Sequence, residues 1–152
     1  MKASDIFRGA APALLVAATL ALAGCETMSS MWNSMFGGGS KVTLSGTQEV
    51  PPVKTSASGS GTITVGSDKS VSGSVTTSGV NGTAAHIHTG AAGQNGPVAV
   101  PLTKGADGNT WSVPAGAKLT DAQYDAYKAG NLYVNVHSAA NKGGEIRGQL
   151  KP

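Results

Sequence analysis

Residues 41–152 are expected to form an all-β Greek-key barrel or β-sandwich with one short helix over about 120–129. Three observations lead there. Apolar side chains recur at every second position in short runs, the periodicity of strands with one buried face. Glycine interrupts these runs often, and such breaks mark turns between antiparallel strands. One segment stands apart from this pattern with helix start and stop signals.

The elements follow in order. Val42 and Leu44 alternate with Thr43 and Ser45, Ile63 and Val65 with Thr62 and Thr64, and Val71 and Val75 with Ser72, Ser74 and Thr76. Gly79 to Gly82 reads as a turn. Val98, Val100 and Leu102 are expected to share one face, with Pro101 opposite. Proline has no N–H to give to a ladder, so this strand belongs at a sheet edge. Gly105 to Asn109 reads as another turn, and Trp111 and Val113 add bulk to a core poor in aromatics. Thr120-Asp121-Ala122-Gln123 fits a capping box, with Thr120 as the cap and Gln123 reaching back. Tyr124, Tyr127 and Lys128 follow, and Gly130-Asn131 closes the helix. In the next strand Leu132, Val134 and Val136 share the inner face, and Tyr133, Asn135 and His137 the outer one. A hairpin around Ser138 to Gly144 then points Ile146 and Leu150 inward. It sets Glu145, Arg147 and Gln149 on the side of Asn135 and His137. This length suits a single modest core.

The first 25 residues read as an address. Lys2 and Arg8 make a basic start, and the apolar run Ala10 to Leu22 is short for a bilayer span. Leu22-Ala23-Gly24-Cys25 resembles the lipobox of bacterial lipoproteins. That likeness implies lipidation of Cys25, removal of the residues before it and attachment to the membrane. Glu26 after the cysteine resembles lipoproteins sent to the outer membrane, facing the periplasm. Cys25 is the only cysteine, so no intramolecular disulfide forms. Residues 26–40 read as a tether ending in Gly37-Gly38-Gly39-Ser40. Met28, Met31, Trp32, Met35 and Phe36 follow roughly helical spacing, which suits an interfacial face, and thioethers also suit Cu(I). Without the leader, nine of the 11 basic and seven of the eight acidic residues remain, a formal charge of +2. No Lys/Arg cluster interleaves with aromatics, which argues against nucleic-acid binding. No lysine follows the glycines of Gly90 to Gly96 in P-loop fashion, so nucleotide binding is rejected. No serine sits in a nucleophile elbow.

Three histidines carry the functional reading. His86 and His88 flank Ile87 and project from the same side of a strand, and His137 ends a second strand with its side chain outward. Three imidazoles meeting at one point suit copper or zinc. The alternative is three polar strand-face residues making ordinary hydrogen bonds. Copper is favoured over zinc because no catalytic carboxylate lies within the motif and an envelope protein meets copper outside the cytoplasm. Around this point Arg147 is expected to attract a small anion such as superoxide, or else to form a cross-strand ion pair. Glu145 is expected to orient an imidazole. Asn135 and Tyr133 share the outer face, where Tyr133 limits access or simply packs. Glu49, ahead of Pro51-Pro52, either reaches the site as an acceptor or belongs to a plain turn.

Four blocks resemble the CHRD domain, the module named after chordin. They are Leu44-Ser45-Gly46 with Glu49-Val50-Pro51-Pro52-Val53; Ala85-His86-Ile87-His88-Thr89-Gly90 with Gly96-Pro97-Val98; Gly130 to His137; and Gly143 to Leu150. The resemblance implies an immunoglobulin-like or Greek-key sandwich and says little about activity. The histidine pattern with a nearby arginine is also similar to the copper site of copper-zinc superoxide dismutases. With three histidines and one cysteine, neither the zinc site nor the disulfide of those enzymes has a counterpart. The expectation is a lipid-anchored protein that binds one copper ion through His86, His88 and His137, with superoxide dismutase-like activity. Two alternatives stay open: a copper carrier without catalysis, and a metal-free adhesion module.

Overall fold

The computed structural model describes residues 38–152. The leader, Cys25 and the methionine-rich stripe lie outside the described residues. Nine strands and one helix follow in chain order among those described: β1 (Ser40–Ser45), β2 (Ser58–Val65), β3 (Val71–Ser78), β4 (Gly82–Thr89), β5 (Val98–Pro101), β6 (Thr103–Lys104), β7 (Thr110–Ser112), α1 (Asp121–Lys128), β8 (Leu132–Ser138) and β9 (Ile146–Leu150). Ser40, expected to end the tether, instead opens β1 and bonds the Tyr127 hydroxyl at 3.0 Å.

The strands form one antiparallel sheet in the order β5-β4-β8-β9-β1-β2-β3-β7-β6. Its edge strands β5 and β6 are successive in the chain, joined at Leu102. The Leu102 N–H donates to the Ala85 carbonyl on β4 at 2.9 Å, and Lys104 Nζ donates to the Gly82 carbonyl at 2.7 Å. The sheet therefore curls until its edges nearly meet, which makes the fold barrel-like. Closure hides backbone groups that an open edge would leave to solvent.

The expected alternation fills the interior. Leu44, Ile63, Val75, Val134, Val136 and Ile146 are fully buried, with Trp111 packed among the core residues. Pro101 lies on the edge strand opposite His86, as its missing N–H requires. Val98 departs from the expected inner face, being 48% exposed while Val100 and Leu102 are buried. The register shift beside His88 accounts for this, since Ile87 pairs with Val100 but His88 pairs with Val98. One extra residue in β5 turns the side chains before it to the other face.

Helix α1 begins with both bonds of its capping box. Gln123 N–H donates to Thr120 Oγ1 at 3.2 Å, and Thr120 N–H donates to Gln123 Oε1 at 2.9 Å. Gly130, with φ +73°, turns the chain out of the helix and into β8.

Candidate metal centre

The site is built on the outer face of β4, β8 and β9. Antiparallel pairing sets His86 opposite Asn135, His88 opposite Tyr133, and Ala84 opposite His137. His137 thus lies diagonally across from His86. The ring centroids are 4.9 Å apart for His86 and His137, 5.4 Å for His86 and His88, and 5.8 Å for His88 and His137. One ring nitrogen from each histidine falls within 4.8 Å of the others.

Hydrogen bonds fix which nitrogens face the centre. His88 Nδ1 bonds the Gly96 carbonyl at 2.9 Å, and His137 Nδ1 bonds the Lys142 carbonyl at 3.0 Å. A carbonyl only accepts, so both Nδ1 atoms carry the proton and both Nε2 atoms keep a lone pair. His86 Nδ1 lies 3.1 Å from His137 Nε2, so in the metal-free protein it donates its N–H there. The Nε2 of His88 is buried without any partner. Such an orphaned acceptor beside two further ring nitrogens is the donor set of a metal ligand. An ion bonded at about 2.0–2.1 Å to each nitrogen sets its ligands about 3.3–3.6 Å apart, so binding draws the widest pair together by about 1 Å from its separation of up to 4.8 Å.

The surroundings keep the rings neutral. Burial, then the neighbouring imidazoles His137 and His88, hold the His86 pKa below the usual histidine value. Burial likewise depresses His88 and His137 despite their carbonyl partners. Neutral imidazole is the form that ligates.

Segments from elsewhere in the chain cover most of this outer face. The Tyr133 ring stacks on His88 at 5.0 Å with an interplanar angle of 7°, and its hydroxyl accepts the Gly96 N–H at 3.1 Å. Gly96 therefore serves both residues, its carbonyl holding His88. A Cβ there would lie 1.7 Å from the Thr89 carbonyl oxygen, so only glycine allows the approach.

Arg147 shares the outer face with Asn135, as expected, but is covered there instead of open to a small anion. It is 1% exposed, and its guanidinium lies 3.4 Å over the Tyr133 ring. Because β4 and β9 flank β8 on opposite sides, Tyr133 is sandwiched between His88 and Arg147. Nη2 donates to Ala91 O at 2.9 Å and to Gln149 Oε1 at 3.3 Å, while Nη1 donates to Asn95 Oδ1 at 3.4 Å. Arg147 binds the 90–96 loop down over the sheet, and Tyr133 separates it from the imidazoles. Beyond it opens a cleft of about 420 Å³ bordered by Thr47, Glu49, Val50, Pro52, Ala92 and Arg147.

Glu145 also departs from expectation. Its carboxylate accepts from Thr55 Oγ1 at 2.8 Å, and backbone carbonyls orient His88 and His137 instead. Sequence reasoning missed those two carbonyls, because any residue can supply one; the Gly96-Pro97 pair was the only local hint. Asn135 sits beside His86, with Nδ2 donating to Gly143 O at 3.4 Å and to Glu49 Oε2 at 3.5 Å. Glu49 is not a hydrogen-bond partner of the imidazoles and occupies a buried position at 4% exposure. Desolvation, only partly offset by Arg147, pushes its pKa up to about 7.

The family model of the CHRD domain matches residues 40–150. No curated protein and no solved structure matches the chain. The matched span contains every strand, the three imidazoles and the residues that cover them, and on that basis the chain belongs to the CHRD domain family.

Proposed function

We propose that this is a bacterial envelope protein, held to the outer membrane by a lipid on Cys25, that binds one copper ion through His86, His88 and His137. The supporting observation is the orphaned, buried His88 Nε2 in one cluster of imidazoles with the close pair of His86 Nδ1 and His137 Nε2. Neutral nitrogen donors favour copper over hard cations, and zinc is the second candidate. Bound copper would supply one-electron chemistry, with superoxide as the substrate and dioxygen and hydrogen peroxide as the products. The residues' own parts are separable. The carbonyls of Gly96 and Lys142 keep two Nε2 lone pairs aimed inward, Tyr133 shields one flank, and the half-exposed edges of His86 and His137 leave room for a small anion.

Titration of the metal-free protein with Cu(II) should give one equivalent bound with nitrogen hyperfine structure in its EPR spectrum. His88→Ala should weaken binding by more than about 100-fold, beyond what loss of an outer partner brings. Absence of stoichiometric copper binding would sink the reading. The copper-loaded protein should accelerate superoxide decay above free-metal controls. Tight binding without that acceleration selects the second reading, a carrier that uses Met28, Met31 and Met35 for Cu(I). The burial of Arg147 favours that alternative, since Tyr133 stands between its guanidinium and the imidazoles.

A further inference from the structure

Two buried acceptors border the same small space beside Gly144, and neither has a donor. Glu49 Oε1 and Asn135 Oδ1 are both buried and without a hydrogen-bond partner. They lie 2.6 and 2.4 Å from the point a Cβ on Gly144 would occupy, so they share one small space beside that glycine. Asn135 Nδ2 lies 2.5 Å from the same point, but its N–H groups are directed at Gly143 O and Glu49 Oε2, so it leaves Glu49 Oε1 without a donor. An ionised carboxylate only accepts, whereas a protonated one carries an O–H donor. A single proton therefore resolves both orphans, which otherwise cost free energy as unsatisfied buried groups.

We propose that Glu49 is a positioning residue for the imidazole site: a proton held between its Oε1 and Asn135 Oδ1 latches the β1–β2 connection onto the turn whose Lys142 carbonyl orients His137. The path is short. Asn135 holds Gly143 O, Gly144 N–H donates to Asn141 O within the same turn, and Lys142 O accepts from His137 Nδ1. From β9, Arg147 is the charged group that faces Glu49, and it favours ionisation. Its donors go to the 90–96 loop and Gln149 rather than to the carboxylate, so among the described residues the two form no ion pair. Asn135 from β8 and the Val50 backbone from its own segment do not titrate, and as hydrogen-bond donors they too favour ionisation, but burial outweighs all three. Loss of the proton to solvent leaves an anion against the amide oxygen, and the latch opens. The effect on metal binding rests on the copper reading, but the latch itself does not.

The test uses the metal-free full-length protein. Infrared difference spectra should show a carboxylic-acid C=O band at mildly acidic pH that is absent from Glu49→Gln. Carbon-13 NMR should place the Glu49 midpoint near 7 instead of the ordinary 4.5. The Asn135 side-chain amide should shift with that same midpoint. A His137 ring-nitrogen response at that midpoint should vanish in Glu49→Gln, whose amide N–H replaces the O–H donor, while the imidazole's own acid titration persists. Glu49 titrating in the ordinary range, or an unresponsive Asn135, overturns the latch. A titrating Glu49 with an indifferent His137 overturns its positioning role. Because no metal is present, a failure of copper binding leaves these outcomes readable.

Discussion

At Gly144 two demands meet in one residue. Its φ of +135° lies where side chains are rarely tolerated, and a Cβ would overlap the Asn135 amide and the Glu49 carboxyl. Gly144→Ala should cost at least about 3 kcal/mol, read from chemical denaturation; a loss below about 1 kcal/mol would show that the buried polar layer can yield. Tyr133 makes a milder case. Tyr133→Phe keeps the stack between His88 and Arg147 but leaves the Gly96 N–H without its acceptor, a cost of about 1 kcal/mol. Slower hydrogen exchange at Gly96 in that variant would contradict the assigned bond. The spacing of His86 and His88 was legible because side-chain direction along a strand follows from chain geometry. The burial of Arg147 was not. An arginine alternating with apolar residues looks the same whether water or a folded-over loop covers it, and here Ala91 and Asn95 arrive from more than fifty residues away.

Among the elements, α1 was the most readable, because a capping box is written in four consecutive residues. Thr120→Ala removes the acceptor for Gln123 N–H and should cost about 1 kcal/mol in denaturation midpoints, with no change in copper affinity. A larger loss would mean that the cap also braces β8. Strand β5 was readable only in part. Pro101 marked it as an edge, yet Val98 faces outward because an extra residue in β5 enters the ladder beside His88. Such a bulge depends on how β4 pairs with β5, and no periodicity within residues 98–102 announces it. The 90–96 loop reaches the histidines through the Gly96 carbonyl on His88.

For the molecule as a whole, two groups of side chains oppose each other in pH. Folding lowers the pKa of His86, His88 and His137. The unfolded imidazoles therefore take up protons first as pH falls below 6.5, and their contribution to stability declines there. Folding raises Glu49 from 4.5 to about 7, so its contribution is complete below 4.5 and is lost as pH rises toward 7. Relative to wild type, Glu49→Gln should gain thermal stability between pH 4.5 and about 7 in the metal-free protein. Melting curves that stay parallel across that window would contradict the raised carboxyl. Copper should add stability chiefly above the imidazole titration, because protons and metal compete for the same lone pairs.

Strand periodicity, the capped helix, the edge proline and the three outward imidazoles were all determined by local chain geometry, which is why they could be read from order alone. The family blocks were equally plain in the linear text. Tertiary structure decided what comes to rest on the outer face: Gly96 and Lys142 as imidazole partners, Tyr133 between a histidine and an arginine, Glu49 buried against Asn135. These depend on which distant segments fold over the sheet. A sheet face carries no mark of its cover until the chain has closed around it.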